Sequence, residues 1–148
     1  MPEDRGRAAR LERLWLRAWK IAEDNGHGHR LPILHHLAMR GHELGLLDLA
    51  NFQIIDGDRN TAGRLADGHS PVRLMYRAYK RGSPTAAQNM ALTYFWLNDL
   101  CGYRHWLRKA ARAGDQDAGL ELKRFETRQP FTLAKRMRRL RPLRRDER

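Results

Sequence analysis

This chain has 148 residues, of which 41% are hydrophobic and 31% are charged, and that length and apolar content fit one domain with a core. Its formal net charge is +12 at pH 7, from 29 lysines and arginines against 17 acidic residues, which favours acidic protein segments or nucleic acid as partners. No run of about 18 apolar residues is present, which excludes a membrane-spanning helix. The N-terminus lacks the features of a secretory signal and Cys101 is the only cysteine, so we expect a cytoplasmic protein without a disulfide.

The N-terminal residues 7–24 have the apolar spacing of an amphipathic helix. One stripe holds apolar side chains at steps of three and four: Leu11, Leu14, Trp15, Ala18, Trp19 and Ala22. We expect residues 1–30 to form a helix that caps the units that follow, because the ends of stacked helical units need covering. The alternative is that the two tryptophans form an exposed aromatic site for a partner.

A phrase built around a glycine occurs three times in the middle of the chain. It reads MRGHELGLLDLA from Met39, KRGSPTAAQNMA from Lys80 and RAGDQDAGLELK from Arg112. After each glycine the fourth residue is small and the eighth is apolar, which places both on one face of a helix. Each unit therefore predicts a helix, a glycine turn and a second helix. We expect helices at about 32–40, 43–55, 71–81, 84–97, 102–113 and 116–127, a short one near 61–66, and no sheet.

The residues around these glycines resemble Sel1-like repeats, a branch of the tetratricopeptide-like α-solenoids. The resemblance rests on Trp106-Leu107-Arg108-Lys109-Ala110-Ala111 before Gly114 and on Ala87-Gln88-Asn89-Met90-Ala91 and Tyr94 after Gly82, and it covers residues 31–127. It implies an all-α superhelix, a right-handed solenoid of antiparallel helix pairs, in a bacterial-type protein. It also implies a non-enzymatic adaptor or scaffold, because stacked repeats present an extended surface to a protein partner.

Side-chain size predicts how these helices would pack. Small residues allow close approach between helices, and larger ones are expected to fill the gaps: Leu74, Met75, Tyr79, Met90, Tyr94, Phe95, Trp106, Leu107 and Leu120. Among them we expect Trp106 to be buried, together with Ala110. Gly82 and Gly114 follow helix ends, so each is expected to have a positive φ.

The concave face of such a stack is the expected binding surface, lined by the first helix of each pair. Its exposed candidates are Tyr76, Arg77, Lys80, Arg104, His105, Arg108 and Lys109. These side chains predict a basic groove for an acidic segment of a partner protein.

The C-terminal residues 128–148 are expected to hold a last helix at about 131–140 and a basic tail. The candidate contact residues among the tail's eight cations are Lys135, Arg136, Arg138, Arg139, Arg141, Arg144 and Arg145. They could contact nucleic-acid phosphates, which is the alternative function. They could instead dock on an acidic protein or an anionic membrane surface, or form the solvated face of a capping helix.

Catalytic and metal-binding patterns are weak in this sequence. Five histidines lie close together (His27, His29, His35, His36 and His42), but their spacing matches no structural zinc site. The Asp56-Gly57-Asp58 turn lacks the remaining ligands of a calcium loop. Cys101 lies at a helix start, where a thiolate would be favoured, although packing is the more usual role of a lone cysteine. We therefore expect no enzyme activity, no cofactor and no metal.

Overall fold

The computed structural model describes residues 2–23, 28–54 and 58–128, and within these ranges the chain is all-α, as predicted. Its seven α-helices are α1 (Pro2–Glu23), α2 (Arg30–Met39), α3 (Glu43–Gln53), α4 (Pro71–Lys80), α5 (Pro84–Trp96), α6 (Leu100–Arg112) and α7 (Gln116–Arg128). A short 3-10 helix, Arg59–Ala62, lies between α3 and α4. No helix in the described part of the chain is long and apolar enough to cross a membrane.

Each helix packs mainly against the helix before it and the helix after it in the chain. Fully buried alanines mark the places of close approach: Ala78, Ala86, Ala87, Ala91 and Ala110. The indole of Trp106, which is 0% exposed, and the side chains of Leu74 and Met90 fill the space beside them. The predicted burial of Trp106 and Ala110 is confirmed.

Four of the connections between helices share one two-residue corner. The first corner residue has a left-handed backbone, with φ of 71° at Gly41, 98° at Gly82, 58° at Asn98 and 102° at Gly114. At the second of these corners, the Gly82 N–H donates to the Tyr79 carbonyl over 2.9 Å. The next residue, Ser83, donates its N–H to the Ala78 carbonyl over 3.3 Å. This is a Schellman ending, and the positive φ predicted at Gly82 and Gly114 is confirmed.

The second corner residue also begins the next helix. Its side chain accepts a hydrogen bond from the backbone N–H three residues later: His42 from Gly45 (3.1 Å), Ser83 from Ala86 (3.3 Å), Asp99 from Gly102 (2.9 Å) and Asp115 from Ala118 (2.9 Å). One residue therefore closes one helix and caps the following one. Because the corner has no spare residue, it limits the directions in which the second helix can leave.

The sequence predicts a connection at residues 98–101 with Asp99 as a turn or cap residue, and the structure shortens it to a corner at Asn98 and Asp99, so that α6 begins at Leu100 and not at residue 102. Phe95 and Leu120, predicted to fill gaps between helices, are 45% and 56% exposed. That prediction is wrong because the inward positions of α5 and α7 are taken by their neighbours Tyr94 and Ala118, both buried. A large apolar residue one or two positions further along a helix points to a different side.

Helix α1 packs against α2 and reaches α3 through polar side chains. The Trp15 indole N–H donates to Asp48 Oδ2 over 2.7 Å. His42 Nε2 lies 3.1 Å from Glu12 Oε2. Trp19, expected on the same inward stripe as Trp15, is exposed.

Replacing Gly114 by alanine is expected to lower the free energy of unfolding by about 1 kcal/mol. A Cβ there would meet no atom within 4 Å, so the cost comes from the left-handed φ of 102° alone. Gly6→Ala is the matched control, because Gly6 lies within α1 and has equally open surroundings. Alanine at that helical position should stabilise the protein by about 0.5–1 kcal/mol. Urea denaturation measures both effects, and an equal change at the two sites would contradict the corner geometry.

Candidate functional site

The stretch from Gly68 to Gly114, which contains α4, α5 and α6, is almost free of acidic residues. It holds eight lysines and arginines and a single acidic residue, Asp99. Asp99 is buried, and its carboxylate accepts the Gly102 N–H at the start of α6. The exposed cations of this stretch are therefore not offset by acidic side chains of the stretch itself.

The basic residues of this stretch recur at helical spacing on α4 and α6. On α4 they are Arg73, Arg77 and Lys80, and on α6 they are Arg104, Arg108 and Arg112. Residues three or four apart lie on one side of a helix, so each helix carries one basic row. Lys80 and Arg112 are exposed at the ends of their helices.

Aromatic rings join the two rows. Trp106 meets Tyr79 edge-to-face with ring centroids 5.3 Å apart, and Tyr76 lies 6.2 Å from the same indole. Lys109 Nζ lies 4.0 Å from the Trp106 ring centroid and 5.5 Å from that of Tyr79. The Arg73 guanidinium lies 5.8 Å from the Tyr76 ring centroid. These contacts are within cation–π range and hold the two charges at fixed places beside the rings.

We call this surface the α4–α6 face. It consists of Arg73, Tyr76, Arg77, Tyr79, Lys80, His105, Arg108, Lys109 and Arg112. Three of the predicted candidates, Tyr76, His105 and Lys109, meet at the ring of Trp106. Arg73, Tyr79 and Arg112 were not among the predicted candidates, although Arg73 lies one turn before Arg77 and its position alone could have indicated it.

Two predicted cations on this face already have partners within the chain. Arg77 donates from its guanidinium to the Ala38 carbonyl over 3.2 Å, which adds a second hydrogen bond to a carbonyl in the last turn of α2 that already accepts the Gly41 N–H. Arg108 is half-exposed, with a guanidinium nitrogen 3.6 Å from Glu126 Oε1. Both side chains thereby gain a restricted position, while Lys80 remains exposed.

Arg104, predicted as an exposed candidate, is buried and lies outside the face. Its Nε donates to Glu126 Oε1 over 2.6 Å, and a second guanidinium nitrogen lies 2.5 Å from the same oxygen. The prediction is wrong because the last turns of α7 pack over the start of α6 and supply this carboxylate. Arg104 therefore joins α6 to α7, since a buried guanidinium needs a charged partner.

Metal-binding groups of three or more side chains are not found among residues 2–23, 28–54 and 58–128. His29, His35 and His36 are exposed, and His42 is the N-cap of α3. His27, Asp56 and the basic tail at 135–148 lie outside the described residues.

The Cys101 thiol is in surroundings that disfavour a thiolate. Burial raises the pKa of Cys101, the negative charge of Asp99 raises it further, and Arg104 opposes the shift. Burial also raises the pKa of the Tyr103 phenol, with additional contributions from the charge and hydrogen bond of Glu121. Neither group has the lowered pKa of an activated nucleophile.

Alkylation of Cys101 by iodoacetamide at pH 8 is expected to be slower in the folded protein than in the same protein unfolded in urea. A raised pKa leaves less thiolate at any given pH, and only the thiolate reacts. As the pH is raised, the alkylation rate of the folded protein should increase with a midpoint above the ordinary pKa of a free thiol. A faster reaction in the folded state would contradict these surroundings.

Replacing Glu126 by glutamine should lower the free energy of unfolding by about 2–3 kcal/mol, because the buried Arg104 loses its carboxylate. Glu121→Gln is the control on the same helix. Its ion pair with Arg124 is solvent-exposed, and glutamine keeps an oxygen that can accept from the Tyr103 hydroxyl, so this change should cost less than about 1 kcal/mol. Thermal denaturation compares the two variants, and equal melting temperatures would show that Arg104 does not depend on Glu126.

No protein-family model, no curated protein and no solved structure matches this chain. Its function therefore has to be inferred from the charge, exposure and ring contacts of the α4–α6 face.

Proposed function

We propose that this protein is a non-enzymatic protein–protein interaction adaptor whose α4–α6 face binds an acidic segment of a partner protein. The observation that carries the proposal is the stretch from Gly68 to Gly114, with eight basic residues and one acidic residue, the latter buried at a helix start. Complementary charge speeds association and selects an acidic partner over a basic one. The cytoplasmic location expected from the lone Cys101 belongs to the same proposal.

The arrangement of the helices supports a solenoid of the Sel1-like type. Helices that pack mainly on their neighbours in the chain, joined by short corners, are typical of stacked repeats. In such a stack the first helices of successive pairs lie side by side. The contacts of Tyr76 and Tyr79 with Trp106 agree with that arrangement for α4 and α6.

The aromatic side chains of the face suit a peptide better than a single ion. Lys109 is held over the Trp106 ring, so less of its conformational freedom remains to be lost on binding. Tyr76 and Tyr79 are partly exposed and offer apolar surface beside the charges. An extended acidic segment could place carboxylates on the cations and its aliphatic carbons on these rings.

Nucleic acid is the second candidate, because phosphates are drawn to the same charge. Binding of single strands usually adds stacking of bases on exposed aromatic faces. On the α4–α6 face, the Tyr79 ring already packs edge-to-face with Trp106 and has the Lys109 ammonium over it. We therefore rank the acidic peptide first.

The test compares binding of an oligoglutamate peptide with that of a single-stranded DNA of equal charge. Lys80→Glu with Arg112→Glu changes two exposed cations of the face, and Arg10→Glu with Arg17→Glu makes the same charge change on exposed positions of α1. The face variant should weaken peptide binding about tenfold more than the α1 variant, mainly through slower association.

An equal loss of peptide affinity in the two variants would mean that only net charge matters and would contradict a defined site.

Deletion of residues 135–148 tests the nucleic-acid alternative. Tight DNA binding that disappears with this deletion, together with peptide binding indifferent to the face variant, would establish the nucleic-acid alternative instead. Circular dichroism of each variant checks that it remains helical.

A further inference from the structure

Helix α5 presents an exposed apolar patch made of Leu92, Phe95 and Trp96. Their side chains are 48%, 45% and 68% exposed, and their spacing of three and four residues places them on one side of the helix. The Phe95 and Trp96 rings meet edge-to-face with centroids 5.9 Å apart. We call this surface the α5 patch.

The core does not account for the α5 patch. The packing of α5 uses its other side, where Ala87, Met90 and Tyr94 are buried against the neighbouring helices. Trp96, the last residue of the helix, contributes little to that packing because most of its surface faces solvent. Clustered large apolar side chains at a surface usually mark a place of contact with another molecule.

The patch is supported from below by aromatic side chains. Phe95 lies 5.2 Å from the Tyr103 ring, which is buried on α6, and Tyr103 lies 5.2 Å from Phe125 on α7. Phe95 thus contacts α6 directly and is linked to α7 through Tyr103. A rigid aromatic surface loses little conformational entropy on binding, as is common for the central residues of protein interfaces.

Charge decides what kind of molecule would cover the α5 patch. Helix α5 has no charged side chain, and the stretch from 68 to 114 has only the buried Asp99 as an acid. A second copy of this chain also carries a net charge of +12, so the two copies would repel each other. The segment from Lys135 to Arg148, with eight basic and two acidic residues, supplies +6 of that charge, and the +6 carried by the rest of the chain repels it. An acidic molecule is attracted.

We propose that the α5 patch is a second docking surface, which takes an amphipathic helix with an acidic polar side from a partner protein. The three apolar side chains of the α5 patch lie within one helical turn. They match the side-chain ridges of an amphipathic helix, whose apolar residues recur every three or four positions. The acidic side of the partner helix would then face the positive protein. This surface is on a different helix from the α4–α6 face and does not depend on it. Two separate surfaces would allow the protein to bridge two partners.

The test uses a designed peptide probe with leucines at helical spacing and glutamates elsewhere, together with a scrambled peptide of the same composition. Fluorescence anisotropy should show binding of the patterned peptide at least about tenfold tighter than of the scrambled one. Trp96→Ala should weaken the patterned peptide by about tenfold or more, and Leu92→Ala is a second variant with the same expectation. Trp19→Ala is the matched control, since Trp19 is an exposed tryptophan on α1, and it should bind like the wild type.

Three results would overturn the proposal. Equal affinity for the two peptides, or an equal loss in Trp96→Ala and Trp19→Ala, would show that charge alone attracts the peptide. Sedimentation of the wild type as a dimer, with Trp96→Ala as a monomer, would assign the patch to a second copy. Tighter peptide binding after deletion of residues 129–148 would show that this segment already occupies the patch. The Lys80 and Arg112 reversal is expected to leave Trp96-dependent binding in place, which separates this test from that of the α4–α6 face.

Discussion

The two-residue corner between successive helices is the constraint on which the rest of this structure depends. A left-handed residue and the residue after it each donate one backbone hydrogen bond that ends a helix, and the second of them also caps the following helix with its side chain. No residue lies between the one that ends the first helix and the one that caps the second. Because the helices must then lie close together, small side chains such as Ala86 and Ala110 are required at their contacts. The same geometry brings α4 and α6 within ring contact through Trp106.

Much of the fold could be predicted because its signals are local. Glycine followed by a capping residue marks Gly82 and Gly114 as corners, and serine before proline marks the start of a helix at Ser83. Asn98 gives a weaker signal, since asparagine occurs in helices and loops as well as in left-handed turns. The regular spacing of Gly82, Asn98 and Gly114 could have revealed it, because each follows the last by 16 residues.

The binding surfaces could be predicted only in outline, since exposure depends on distant parts of the chain. The sequence shows the basic rows, but the pairing of Arg104 with Glu126 joins residues 22 positions apart and removes that cation from the surface. In the same way, the composition of α5 indicates an apolar helix without indicating that Leu92 and Trp96 face solvent. Helix periodicity assigns residues to sides of a helix, and only the packing of neighbours decides which side is covered.

His42 makes the first corner chemically different from the other three. Its Nδ1 accepts the Gly45 N–H over 3.1 Å, and its Nε2 lies 3.1 Å from Glu12 Oε2 on α1. The caps at the other three corners, Ser83, Asp99 and Asp115, accept through oxygen atoms. Because the two ring nitrogens of His42 contact different helices, one side chain both begins α3 and attaches α1 to it.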